Sequence, residues 1–217
     1  MSMALEVLSS NKTYIIQAKD LKSDGYITDL FSYSISNLLV GNDYLAPAIE
    51  VLESIELFFK DGALIALAGK GLAKLGDKEL PFWRAIPIPP GSKVKIKSLF
   101  KPVYIGIMGL SYPFKGKYSL SKGARLRFEI LNGWANIKDI IARRVPSSIV
   151  QTYEKIMDRI SNSERSLQVK LQIQLQFLEK VSRHLQLVHE AVQRGAKLIR
   201  VRISGKEYEV WVEELGD

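Results

Sequence analysis

The sequence predicts an α+β fold: a strand-rich body, then a helical segment, then a short β-hairpin. Three observations carry this. Residues 1–145 hold many short apolar or alternating runs separated by turn chemistry such as "KDGA", "GDKELP", "PIPPGS" and "SYPFKGK". Residues 147–194 contain neither Gly nor Pro. The tail from Ala196 alternates apolar and charged residues around Ser204-Gly205. The division expected is 1–145 for the β-domain, 146–196 for a coiled-coil-like helical segment and 197–217 for the hairpin tail.

In chain order, "ALEVL" and "TYIIQ" read as short strands, and residues 28–40 as a helix. Thr28 is its expected N-cap and Asp29 suits the positive helix end. Leu30, Phe31, Ile35, Leu38 and Leu39 share a face, Gly41 suits a left-handed closing residue, and Asn42 tolerates the turn. Strands are expected at Ile49–Phe59, Ala63–Ala68, Lys93–Lys97, Val103–Met108 and Arg125–Leu131. Lys93-Val94-Lys95-Ile96-Lys97 alternates strictly, so one of its faces is wet. Many short strands and few helices imply a barrel or sandwich.

A heptad phase then runs through Val150, Met157, Glu164, Leu171, Leu178, Leu185 and Val192, with companions at Tyr153, Ile160, Leu167, Gln174, Val181 and Val188. Eleven of these thirteen positions are apolar, a coiled-coil-like seam that could also join two copies through residues 150–192. Two shapes compete: one helix of about 48 residues, roughly 70 Å long, or a hairpin broken at the polar "SNSERS", residues 161–166. A compact fold buries the hairpin more readily. "SLQVKLQIQLQF", 166–177, alternates like a strand, but its Gln, Lys and Leu are good helix formers and the heptad continues beyond it. In the tail, Ile199, Val201 and Ile203 are expected to match Tyr208, Val210 and Val212, with Arg200 and Arg202 opposite glutamates.

Composition excludes several functions. There is no Cys, so disulfide scaffolds, thiol catalysis and Cys-type zinc sites are ruled out. No apolar run reaches the roughly 20 residues of a membrane span, and the N-terminus lacks a signal-peptide pattern, so a cytoplasmic location is the expectation. The net charge is +8 and uneven: residues 93–127 hold nine Lys or Arg and no acidic residue. That field suits an anion or an acidic partner surface, unless it is a lysine-rich strand edge that resists aggregation.

No GxxxxGK[ST] or GxGxxG loop is present, and Gly69-Lys70-Gly71 is too short for either. His184 and His189 lie about 140° apart on a helix, so they do not share a metal and read as exposed. Glu53/Glu56 and Glu213/Glu214 read as wet strand faces. Tyr104, Tyr112, Phe114 and Tyr118 lie among basic residues, but their spacing matches no RNA-recognition signature, so they read as core and nucleic acid is not the expected partner.

"SNLLVGNDYLAPAIEV", residues 36–51, resembles the "ANLLVGN…AAALEV" segment of the biotin-dependent carboxyltransferase-like family, which includes KipA, the C subunit of 5-oxoprolinase and the carboxyltransferase half of urea amidolyase. The likeness continues through "IELFFKDGALIALAGKGL", "LGDKELPFWRAIPIPPGSKVKI" and "VYIGIMGL", and spans about residues 5–132. It implies a cyclophilin-like β-barrel and a subunit of a multi-component enzyme. The implied partners are a KipI-like B subunit, a biotin carrier or a carboxylase subunit. The chemistry implied is ATP-dependent opening of 5-oxoproline, or carboxyl transfer from carboxybiotin on a partner carrier protein, with no cofactor bound covalently to this chain. The tail "VRISGKEYEVWVEEL" is similar to the lead-in segment of biotin carrier proteins, although the biotin-accepting Ala-Met-Lys-Met is absent.

The chain departs from the family where a site would lie. Before the helix, Gln17, Asp20, Gly25 and Tyr26 echo "TTVQDLGRPGY", but the Ser-Gly-Ala-Met-Asp run is missing. Downstream, Pro113, Gly116 and Ser119 remain, but Tyr118 stands where the family has Arg. An active member needs an anion pocket for a carboxylate or bicarbonate; Lys70, Trp83, Arg84, Lys115 and Lys117 are the candidates. For Trp83 and Arg84 the alternative is a turn-packing aromatic beside a surface charge. The functional alternative is a non-catalytic scaffold that keeps the barrel and binds a partner through its helices.

Overall fold

A computed structural model of the chain describes residues 2–18, 27–129, 143–161 and 167–212. Its strands are β1 (Ser2–Gln17), β2 (Ala48–Phe59), β3 (Ala63–Leu75), β4 (Lys78–Glu79), β5 (Ala85–Ile88), β6 (Ser92–Ile107), β7 (Leu110–Ser111), β8 (Gly116–Ser119) and β9 (Arg125–Glu129). They form one antiparallel sheet in the order β4–β3–β6–β2–β1–β9–β7, with β5 on β3 and β8 on β1. The sheet curls into a half-barrel around buried residues such as Leu5, Ile15, Leu57, Ile65, Ile96 and Ile105. The expected β-barrel-type body is thus the fold observed.

The strands are longer than sequence periodicity suggests. "ALEVL" and "TYIIQ" are parts of the single strand β1, which keeps pairing with β2 across register shifts after Val7 and Asn11. Lys93–Lys97 and Val103–Met108 are likewise the two arms of β6, and β3 runs on past Ala68 to Leu75. A bulge adds residues to one strand without ending the ladder, so the side-chain period breaks while the backbone pairing resumes. Expected residues 130 and 131 of the last strand lie outside the described residues.

Helix α1 (Leu30–Leu39) begins one residue later than Thr28 would set it. Asp29 is the N-cap: its Oδ1 accepts from Ser32 N–H at 3.0 Å and its Oδ2 from the Ser32 hydroxyl at 2.6 Å. A carboxylate is the better cap here because it also favours the positive helix end. At the other end Gly41, at φ 82°, closes the helix as expected. Asn42 does more than tolerate the turn. Its amide donates to Asn37 Oδ1 and to Ile107 O at 2.8 Å, and its Oδ1 accepts from Gly109 N–H at 2.9 Å. The "NLLVGN" motif therefore ties the helix end to the end of β6. Instead of burying a single face, α1 is buried on nearly every side, because the sheet lies on one side and two further helices on the other.

Those helices are α2 (Ser147–Ser161) and α3 (Leu167–Gln193), so "SLQVKLQIQLQF" is helical from Leu167 on. The Tyr153 and Phe177 rings lie 5.4 Å apart. In one continuous helix they would be about 36 Å apart. The segment is therefore a hairpin. Its apolar seam, with Val150, Tyr153, Leu178, Val181 and Leu185 buried beside Phe31, Ile35 and Leu39, closes on α1 of the same chain. The seam expected to join two copies is thus covered within this one.

The tail forms a separate two-stranded sheet, β10 (Lys197–Ile203) with β11 (Lys206–Val212). Ile199 pairs with Val210 and Val201 with Tyr208, while Arg200 and Arg202 stand opposite Glu209 and Glu207. Two of the three expected apolar matches therefore form, while Ile203 pairs with Lys206 and Val212 with Lys197.

Candidate functional site at the start of the first helix

Two bulges and two helices enclose a cavity. β3 bulges at Lys70, between Gly69 and Gly71, where the facing strand β6 pushes out residues 99–102. Beside these bulges lie the N-terminus of α1 and one side of α2. Together they enclose about 180 Å³, lined by Asp29, Lys70, Trp83, Lys101, Tyr153 and neighbouring groups that include Thr28 and Ser32. Fixed polar groups surround the opening. The Tyr153 hydroxyl donates to Asp29 Oδ1 at 2.6 Å, and burial, followed by the Asp29 charge, pushes its pKa up. Lys101 pairs with Asp158 and, by hydrogen bond and charge, holds that carboxyl below its usual range; Lys70 adds its field. Trp83 sits at φ 62°, fixed by N–H donation to Leu67 O at 2.7 Å and by acceptance from Val145 N–H at 2.9 Å. Its ring lies 5.8 Å from that of Phe31, tilted by 32°. It packs a turn, the alternative expected for it, and also walls the cavity.

A second polar group lies behind this wall. Glu50 is wholly buried on β2. Its Oε1 accepts from the Tyr104 hydroxyl at 3.0 Å, and its Oε2 meets Lys117 Nζ at 2.5 Å. The Lys117 ammonium also stands 4.5 Å above the Tyr14 ring. The Tyr104 hydroxyl is 3.5 Å from Thr28 Oγ1, which faces the cavity. Burial, then the Glu50 charge, raises the Tyr104 pKa well above its ordinary value. Register produces the cluster: Tyr14 and Tyr104 flank Glu50 on the neighbouring strands β1 and β6.

Of the five residues singled out by sequence, Lys70 and Trp83 meet in the cavity. Lys117 belongs to the Glu50 cluster. Arg84 is exposed, its backbone bridged to Arg144, and Lys115 is exposed on the loop before β8. Sequence reasoning missed Asp29 as a cap, together with Lys101, Tyr153, Glu50 and Tyr104. One signal was available for Glu50, a carboxylate inside the apolar run "AIEV". Asp20, Gly25 and Tyr26 of the family-like stretch lie outside the described residues, as do Glu213 and Glu214. Glu53 and Glu56 pair with Lys12 and Lys95. His184 and His189 are half-buried rather than exposed, because α3 packs down on the body. Tyr104 is core, but Tyr112, Phe114 and Tyr118 cluster near the surface at 5.7–6.0 Å between ring centres. No helix among the described residues is long and apolar enough to cross a membrane.

This curled sheet with its helical cover is a carboxyltransferase-like fold. Solved structures that share it include Kluyveromyces lactis urea carboxylase (TM-score 0.53, 19% identity, covering 66% of this chain and 16% of that one) and K. lactis urea amidolyase (TM-score 0.52, 21% identity, 66% and 10%). Residues 25–109, about two-fifths of the chain, match the family model of the carboxyltransferase domain, subdomains A and B. Urea amidolyase of Saccharomyces cerevisiae is 35% identical over 97 residues, 42% of this chain and 5% of that protein. The chain therefore spans a small part of the long proteins it resembles.

Proposed function

We propose that the chain works as a carboxyltransferase-type subunit of a multi-component assembly, and that the cavity at the start of α1 takes a small carboxylate or ureido compound. The cavity, with Lys70 and Trp83 brought together at its wall, carries this reading. Lys70 supplies an ammonium for a carboxylate, Trp83 an aromatic face for a planar ureido group, and Thr28 and Ser32 hydroxyls for its edge. At about 180 Å³ the space suits a small acid, well below the roughly 300–1,000 Å³ of pockets for larger ligands. The same residues fit the carboxylated ureido end of a biotin presented by a partner carrier, whose chemistry would be delivery of a carboxyl group. Lys70 would hold that carboxylate and Trp83 would orient the ring plane. The names of the relatives point to urea as a substrate; the family resemblance adds 5-oxoproline, and with it a KipI-like partner subunit.

A scaffold role is the second reading, favoured by one observation: of the other charged groups at the opening, Asp29, Lys101 and Glu154, the first two are already engaged with Tyr153, Ser32 and Asp158. Co-purification with candidate partner subunits, followed by assay of ATP-dependent urea or oxoproline turnover, separates the two. Lys70→Ala should then lower kcat/KM by on the order of tenfold to hundredfold, and Trp83→Ala should raise KM. Full activity in both variants would remove the cavity from the mechanism. No turnover with any partner would leave the scaffold role standing.

A further inference from the structure

The outer face of the sheet is half covered. α1 to α3 lie over the half that carries Ile16, Ala48, Leu64, Ala66 and Tyr104. Beyond the β3 and β6 bulges the same face is open and forms a groove of about 350 Å³ across β1, β2, β6 and β3. Lys74, Lys95 and Lys97 line it with Glu56, and Leu72 is 53% exposed within it. An aggregation-resisting edge does not explain these lysines, because β6 is hydrogen-bonded on both sides, to β2 and to β3. Lys74 and Lys95 stand directly opposite each other across the ladder, a like-charge pairing, with Glu79 opposite Lys74 on β4 and Glu56 opposite Lys95 on β2. Glu56 approaches Lys95 at 3.8 Å, and no ion pair to Lys74 or Lys97 is found among the described residues.

We propose that this groove docks an acidic segment of a partner protein, whose carboxylates meet Lys74, Lys95 and Lys97 and whose apolar side chain seats on Leu72. Charge complementarity selects such a partner. Three ammonium groups line the apolar floor against one carboxylate, and with Glu79 flanking Lys74 the local balance is still positive. Nucleic acid suits the groove less well: no aromatic ring lines it for base stacking, and Glu56 would face the phosphates.

The test uses the full chain and a fluorescein-labelled peptide of alternating Glu and Leu, followed by anisotropy at several salt concentrations. Saturable binding is expected, weakening as salt rises. K74E with K97E should weaken it at least about tenfold, while K115E, an exposed lysine away from the groove, should leave it unchanged. K74E alone should leave the Tm within about 1–2 °C, because it relieves the like-charge pairing with Lys95 but creates one with Glu79, the residue opposite on β4. Loss of binding without loss of stability marks lysines that act on the partner rather than on the fold. Three results would overturn the proposal: no peptide binding, equal binding by the K74E/K97E variant, or displacement of the peptide by an equimolar thymidine 20-mer. None of these touches Lys70 or Trp83, so the groove and the cavity fail independently.

Discussion

Glu50 shows how a residue can be plain in the sequence and opaque in its role. It sits between Ile49 and Val51, and its carboxylate is buried with Tyr104 on one oxygen and Lys117 on the other. Lys117 was singled out from sequence as a basic group open to an anion, yet its nearest anion is internal and 67 positions away (117 − 50). The pairing depends on β8 lying along β1, which no local pattern encodes. Glu50→Gln keeps the acceptor for Tyr104 and strands the Lys117 charge. We expect a loss of about 1–3 kcal/mol in urea unfolding, reduced from a fully buried pair because Lys117 is one-quarter exposed. Adding Lys117→Met should restore part of it. Additive effects in that double-mutant cycle would show that the two groups are not coupled.

At the level of elements, Gly69-Lys70-Gly71 reads as a failed phosphate loop but is a packing device. A Cβ at Gly69 would stand 2.3 Å from Pro102 O, and its φ of +108° already disfavours a side chain. The two glycines let the β6 bulge settle against β3, which places Lys70 and Lys101 on one cavity. Gly69→Ala should cost about 2–4 kcal/mol and weaken any ligand that needs Lys70. Unchanged melting for this variant would mean that the bulges are not locked together. Helix boundaries were legible to within two residues, because caps and periodicity are local chemistry. The continuity of β1 and β6 was not, because bulges interrupt the side-chain period that marks a strand.

The molecule as a whole carries a pH dependence from its buried tyrosines. Burial first, then the charges of Glu50 and Asp29, raise the pKa values of Tyr104 and Tyr153 above the ordinary value near 10.0. The folded chain therefore holds these protons more tightly than the unfolded chain. Stability is intact below about pH 10 and declines as pH rises beyond it, where the unfolded chain ionises. Thermal melts from pH 8 to about 11.5 should show this fall. Tyr153→Phe should lose about 1 kcal/mol at neutral pH, through its bond to Asp29, and show a shallower alkaline slope. An unchanged slope would place the alkaline transition elsewhere.

Alternation, turn residues, the heptad and the "NLLVGN" segment were enough to establish the α+β class, the first helix, the helical region and the carboxyltransferase likeness of residues 25–109. Each of these is written in near neighbours, through side-chain period, capping and backbone freedom. Folding alone settled that the helices form a hairpin closed on α1, that Lys70 and Trp83 share a cavity while Arg84 and Lys115 do not, and that the lysines of β6 lie mid-sheet. Those outcomes rest on contacts between segments dozens of residues apart, governed by strand register and by which apolar faces can be buried together, and neither quantity is encoded in any one stretch of chain.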